Sequence, residues 1–302
     1  MVILQQGTVV CLVLALVLGA GIFLILRFFC NSHSRPTAKV KNSSNHGPVH
    51  AKQKREETDW ADKQAEEMKK LREMERYRKD FLGNVSHELK TPIFNIQGYL
   101  LTLLDGAMED ESVNRLYLKR AEKSLNRLNS IVEDLESIAR LESGEFKMSI
   151  ETFNLVKVVE EVIDYYEMPA RQRNIRISIE GSHSRRIRVK ADRKLIVEVI
   201  ENLVNNSIKY GKEGGKTIIS FDDKGKKIEV KVADNGIGIA EKDQPRIFER
   251  FFRVDKSRSR ESGGTGLGLS IVKHTLQAHQ QHISVRSKEE SGTTFTFTLD
   301  KA

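Results

Sequence analysis

The sequence predicts a multidomain chain: an N-terminal transmembrane helix, an all-α helical hairpin that completes a four-helix bundle as a dimer, and a C-terminal α/β sandwich on a mixed sheet. Three observations carry this. Twenty residues from Gly7 to Leu26 hold no charge. Two long amphipathic runs with apolar residues every three or four positions come later, and from Ile150 onward helix and strand patterns alternate. Composition agrees, since 302 residues with 39% hydrophobic and 30% charged side chains are enough chain for about two globular domains.

The uncharged run matches the length a helix needs to cross a hydrocarbon core of roughly 30 Å. A cleaved signal peptide is the alternative, but no Lys or Arg precedes the run and no small-residue cleavage site follows Phe28, Phe29 and Cys30. Residues 7–29 are therefore expected to be a single-pass anchor in the inner membrane, with residues 1–6 outside. The formal charge of +8 is local: Arg27 to Arg55 carries seven Lys/Arg and no acid. Positive charge directly after an apolar span is expected to place the C-terminal side in the cytoplasm. Residues 30–54 read as a basic flexible tether near anionic headgroups. No recognition helix or basic stripe supports a nucleic-acid partner. The two cysteines, Cys11 and Cys30, offer neither a disulfide framework nor metal-ligand spacing.

Residues 55–80 change to dense alternating charge with Trp60, Ala61, Ala65, Met68, Leu71, Met74 and Tyr77 spaced for a helix, a stalk with an imperfect coiled-coil seam. The helical pattern continues through FLGNVSHELKTP. Phe81, Val85 and Leu89 make one apolar stripe and leave His87, Glu88 and Thr91 on other faces. A neutral imidazole carries a free lone pair and can attack an electrophile if a neighbour fixes its tautomer. Glu88 is placed to accept that N–H, and the Thr91 hydroxyl sits one turn along. Pro92 removes the helical partner of the Glu88 carbonyl, which should bend the helix. Apolar spacing resumes from Ile93 to Leu104, lapses at Asp105 and Gly106, and returns from Val113 to Leu141. Two such helices joined by a short loop form an antiparallel hairpin over residues 81–144. Its two-helix seam buries too little alone, so a second copy is expected to complete the bundle.

Residues 150–302 form the second domain. Asn154 caps a helix to about Met168, and Ile175–Ile179 and Ile187–Val189 read as strands. Asp192 caps a helix to Lys209, and Thr217–Phe221 pairs with Ile228–Val232 across DDKGK. Three clusters carry chemistry. In NLVNNSIKYG, Asn202, Asn206 and Lys209 fall on one helical face, where Asn oxygens can hold a hard cation and Lys can offset phosphate charge. In DNGIGI, Asp234 ends a strand, and Gly236 and Gly238 flank Ile237, a carboxylate beside backbone that can approach a flat ring. In GGTGLGLSIVKHTL, four glycines open an apolar helix whose free N–H groups suit an anion.

SHELKTP resembles the phospho-accepting box of two-component sensor histidine kinases. The three later clusters, in this order, resemble the N, G1 and G2 boxes of the ATP-binding fold that these kinases share with DNA gyrase, the ninety-kilodalton heat-shock chaperones and mismatch-repair ATPases. IFERFFRVD (Ile247 to Asp255) resembles the F box, which those other families lack. The resemblance spans about Asp80 to Leu299 and implies a homodimeric kinase that uses ATP and Mg²⁺, carries phosphate on His87 and passes it to the receiver domain of a response regulator. It also implies that Glu88 is the acid/base partner and that Thr91 positions water when the enzyme acts as a phosphatase. In the ATP domain Asp234 would accept from the adenine amino group, with Gly236 and Gly238 beside it, and Asn206 would hold the metal. Asn202, Lys209 and Arg253 would contact phosphates, Tyr210 and Phe251 would line the base or lid, and Gly264, Thr265, Gly266, Leu267 and Gly268 would close on the phosphates. Val254 to Ser262 would be a mobile lid. ELKTPIFNIQGY and RVDKSRSRESGGTGLGLSIVKH are similar to sensors of the phosphate-regulon type. A hydrolase of the same nucleotide fold, using Glu201 to activate water, and a non-catalytic dimerising adaptor are the rival readings. One departure stands out: Gln280 and Gln281 occupy positions where the family commonly has two glycines, which places the left-handed turn after that helix in question.

Overall fold

The computed structural model describes residues 50–142, 147–180, 186–254 and 264–302. The expected membrane helix, most of the expected tether, and all of the expected lid (Val254 to Ser262) except Val254 lie outside these residues. Among the described residues no helix is long and apolar enough to cross a membrane.

Helix α1 (His50–Thr102) runs without interruption through Pro92, which is buried. Along it Phe81, Val85, Leu89 and Ile96 face inward, as the four-residue spacing requires. A π-helical turn (Leu103–Ala107) ends it where the apolar pattern lapses. Gly106 there has φ 115°, a conformation only glycine adopts without strain. Helix α2 (Glu111–Glu142) returns antiparallel, and Tyr99 meets Tyr117 edge to face at 5.7 Å near the hairpin's closed end.

The C-terminal domain is a seven-stranded mixed sheet with order β1-β3-β7-β5-β4-β2 and β6 also pairing β7. The strands are β1 (Ile150–Asn154), β2 (Arg176–Glu180), β3 (Arg188–Asp192), β4 (Lys216–Asp223), β5 (Lys227–Asp234), β6 (Ile283–Lys288) and β7 (Gly292–Lys301). Only β2–β4 is parallel; the other pairs are antiparallel. Alternation sends Ile219, Phe221, Val230, Val232, Phe295 and Phe297 to one face. Helices α3 (Leu155–Gln172), α4 (Arg193–Tyr210) and α5 (Gly268–Ala278) supply the apolar side chains that meet them. Both expected caps form: the Asn154 side chain accepts from the Val156 N–H, and Asp192 accepts from Lys194 and Leu195.

The left-handed turn after α5 is made despite the missing glycines. Gln280 has φ 57°, the Gln280 N–H donates to Gln277 O at 2.9 Å and the Gln281 N–H to Leu276 O at 2.8 Å. These are the two bonds that close a Schellman motif.

Candidate active site

Helix α4 turns Leu203, Val204 and Ile208 into the core and so presents Asn202, Asn206 and Lys209 on the opposite side. Asp234 ends β5 opposite Thr293; its Oδ1 accepts from Gly236 N–H at 2.8 Å and Thr293 N–H at 3.3 Å. Burial raises the Asp234 carboxyl above the usual range, and the two N–H donors oppose that.

Two adjoining cavities open beside these residues and share Asn206, Lys209, Tyr210, Phe252 and Arg253. The first, about 450 Å³, has Ile237, Ile239, Ile247 and Phe295 on its walls and Asp234 among its lining, a slot for a flat ring with one acceptor. The second, about 370 Å³, is polar: Asn202 and the glycine loop Gly264–Gly268 line one side, and Ser130, Glu133, Asp134 and Ser137 of α2 the other. Together they have the size and mixed lining of a nucleotide site. A Cβ at Gly264 would strike Lys209 Nζ, and one at Gly268 would strike Asn202 Oδ1. Side chains there would thus fill the cradle.

The polar cavity carries charges under strain. Burial, then Arg253 and Arg127, pull Lys209 down to about 8. Asp134 is pushed up to about 6 by burial, while the hydrogen bond from Thr265 Oγ1 at 2.7 Å lowers it and Glu198 and Glu133 add repulsion. A polyphosphate would offset the first and a divalent cation the second. Asn206 brings an uncharged hard oxygen to the same wall, a donor that fits Mg²⁺.

On α1, the His87 side chain is 65% exposed and its Nδ1 lies 3.8 Å from Glu88 Oε1. Glu88 Oε2 accepts from Arg127 Nη2 at 2.9 Å and is 3.9 Å from Arg253 Nη1. Thr91 Oγ1 donates to the His87 carbonyl at 3.2 Å, within its own helix. Below this, Arg250 pairs with Glu142 and lies over the Tyr77 and Phe81 rings at 5.2 and 5.1 Å.

Three residues expected at the nucleotide site, Gly236, Phe251 and Leu267, line neither cavity, and Gly236 acts there only through its N–H on Asp234. Phe251 adopts φ 61° and meets Phe81 with ring centroids 5.8 Å apart; its neighbour Phe252 lines the cavities instead. The Leu267 side chain is fully buried against Ile138 of α2 and Ile271 rather than turned to the cavity. Asn202, Asn206, Lys209, Tyr210, Arg253, Gly264, Thr265, Gly266 and Gly268 line the polar cavity; Asp234 and Gly238 line the apolar one. The sequence reading missed the hairpin's own share: Ser130, Asp134 and Ser137 beside the polar cavity, and Arg127 beside Glu88. Their three-four-three spacing puts them on one face of α2, a signal hidden by attention to the neighbouring apolar stripe.

A helix bearing an exposed histidine beside a half-buried glutamate, joined to a nucleotide-sized cleft on a mixed α/β sandwich, defines a phospho-acceptor hairpin coupled to an ATPase-type domain. Residues 77–144 match the His Kinase A (phospho-acceptor) domain family, and residues 191–302 match the histidine kinase-, DNA gyrase B- and HSP90-like ATPase family. The chain belongs to the two-component sensor histidine kinases. It is 42% identical over 229 residues to the sensor-like histidine kinase SenX3 of Mycobacterium tuberculosis, covering 75% of this chain and 54% of that protein. It is 35% identical over 232 residues to the phosphate regulon sensor protein PhoR of Pseudomonas aeruginosa, covering 75% and 51%. The histidine kinase ThkA, solved in complex with the response regulator TrrA, aligns with TM-score 0.63 and 29% identity over 79% of this chain and 66% of that one. The chain spans about half the length of the curated relatives it matches.

Proposed function

We propose that the chain is a membrane-anchored, homodimeric kinase. It moves the γ-phosphoryl group of Mg²⁺-ATP to His87 and then to an aspartate of a separate response regulator, and it dephosphorylates that regulator as a second activity. The observation that carries the reading is the bridge at Glu88: the carboxylate beside His87 lies 3.9 Å from Arg253, and Arg253 lines the polar cavity. Acceptor and phosphate site thus share a side chain.

The chemistry follows from these positions. Adenine would lie in the apolar cavity with its amino group on Asp234, and the phosphates would run toward Lys209, Arg253 and the glycine loop. Asn206 would hold Mg²⁺, which supplies neutralisation of phosphoryl charge. Glu88 accepts the Nδ1–H of His87, leaving the Nε2 lone pair for in-line attack. A P–N bond forms, the bond from phosphorus to the bridging oxygen breaks, and ADP leaves. Positioning and charge neutralisation supply most of the acceleration.

Other parts of the reading rest on separate supports. The ThkA–TrrA complex supports a response-regulator partner. The phospho-acceptor family and the exposed Leu100, Leu104 and Leu125 support dimerisation. The uncharged run from Gly7 to Leu26 supports the anchor. Incubating the full chain with γ-labelled ATP tests the core claim. We expect acid-labile label on the wild type and none on His87→Gln, with ATP binding retained. Asp234→Ala should lose both label and nucleotide binding while keeping its fold. Label that persists in His87→Gln would overturn the assignment.

A further inference from the structure

Glu88 has two oxygens, and the hairpin itself holds one of them. Arg127 Nη2 on α2 donates to Oε2 at 2.9 Å, and the two side chains are only 16% and 17% exposed. A pair this far from water returns little stability, because desolvating both charges consumes most of the attraction between them. What the pair does is orient. With Oε2 held, Oε1 is left facing His87 Nδ1 at 3.8 Å, because the bond to Arg127 narrows a terminal torsion that is otherwise broad. Hydrogen bonds of this kind commonly close only once substrate is bound.

The second cation near Oε2, Arg253, cannot serve the same purpose throughout a catalytic cycle. It belongs to the ATP-binding domain and lines the phosphate cavity, so its place depends on how that domain sits. Arg127 and Glu88 both belong to the hairpin, and Arg127 lines neither cavity. Their contact stays in place when the ATP-binding domain moves.

We infer that Arg127 is a positioning residue for phosphoryl transfer. It anchors Glu88 so that Oε1 selects the Nδ1–H tautomer of His87 and leaves Nε2 free to attack. This rests on the kinase reading above.

The test uses the full chain with ¹⁵N-labelled histidine, with His87→Gln identifying the His87 ring signals. In the wild type the Nδ1–H tautomer should dominate; in Arg127→Ala the ring signals should move toward the Nε2–H tautomer, and Arg127→Lys should restore part of the difference. Self-labelling at saturating ATP should fall about ten- to a hundredfold in Arg127→Ala, in the range of lost ligand-orienting contacts, with the ATP concentration for half-maximal rate unchanged. Arg127→Lys should recover part of the rate, since an ammonium keeps the charge without the planar fork. If wild type and Arg127→Ala give superimposable His87 signals, or if rate and ATP affinity fall together, the inference is overturned. An unlabelled wild-type chain overturns the kinase reading and this inference with it; unchanged ring signals in a chain that does label itself overturn the inference alone.

Discussion

In the ATP-binding domain the large apolar side chains face one another: Leu155, Ile196, Ile200, Val230 and Phe297 are at or near zero exposure. In the hairpin, Phe94, Leu101, Leu104, Met108 and Leu118 are each more than half exposed, while Leu103, Ile131 and Ile138 are the buried aliphatics. The first region closes its own core, although the hairpin supplies one wall of its polar cavity. The second borrows order from what it touches. At its open end Ile138 packs on Leu267 and Ile271 of the ATP-binding domain, so the surface that steadies the hairpin is also part of the nucleotide loop. Where stability is borrowed, it can also be regulated, because a change in the partner changes the hairpin.

Paired substitutions sharpen this contrast. Ile200→Ala removes a side chain with no exposure, and we expect it to lower the unfolding free energy by about 2–5 kcal/mol in denaturant titration. Leu101→Glu should leave the ATP-binding domain's unfolding unchanged and weaken self-association, read by sedimentation of the full chain in detergent. A Leu101→Glu chain that sediments as the wild type does would place the dimer seam elsewhere on the hairpin.

What the sequence made legible divides along the same line. Periodicity marked the helices, and side-chain caps at Asn154 and Asp192 marked two starts, because both signals are local. Strand β2 lies one residue further on than expected, and β3 starts one residue later and ends three later. β1 was missed because its exposed residues carry little alternation and its place depends on pairing with β3. β7 was missed although Phe295, Phe297 and Leu299 alternate as a buried strand face should. In the site, the ATP-binding residues could be named because each motif is contiguous. Arg127 and Asp134 could not, because their partners are far away in the chain: folding of the hairpin brings Arg127 to Glu88, and docking of the hairpin on the ATP-binding domain brings Asp134 to Thr265.

The polar cavity offers a finer test of how the two regions meet. Lys209 is held at about 8 by burial and by Arg253 and Arg127, the last contributed by the hairpin. Phosphate beside the ammonium favours its charged form, so the bound state holds the proton more tightly than the free one. Affinity for ADP should therefore fall by roughly tenfold between pH 7 and 9 and be accompanied by proton uptake in calorimetry near pH 8. Asp134, which titrates near 6, is ionised throughout that window. Lys209→Met should remove the slope and the proton uptake; a slope that survives in that variant would assign the titration to another group.

The smallest expected effect concerns the turn after α5, where local preference and tertiary need disagree. Gln280 sits at φ 57°, a region that costs a side chain with a Cβ about 1 kcal/mol, partly offset by the greater unfolded-state freedom of glycine. Gln280→Gly should therefore stabilise the domain by about 0.5–1 kcal/mol. Gln281 is different: it is 3% exposed, its Oε1 accepts from Lys227 Nζ at 2.8 Å and Thr298 Oγ1 at 2.7 Å, and its Nε2 donates to Asp300 at 3.0 Å. Replacing it with glycine removes the hydrogen bonds of this buried amide, while the exposed Lys227 and Asp300 can turn to water, so the expected destabilisation is about 1 kcal/mol. The opposite signs explain how a chain can give up a glycine pair and keep the turn: one position accepts backbone strain, and its neighbour ties the helix end to β5 and β7. Equal effects at the two positions in thermal unfolding would show that this clamp contributes nothing.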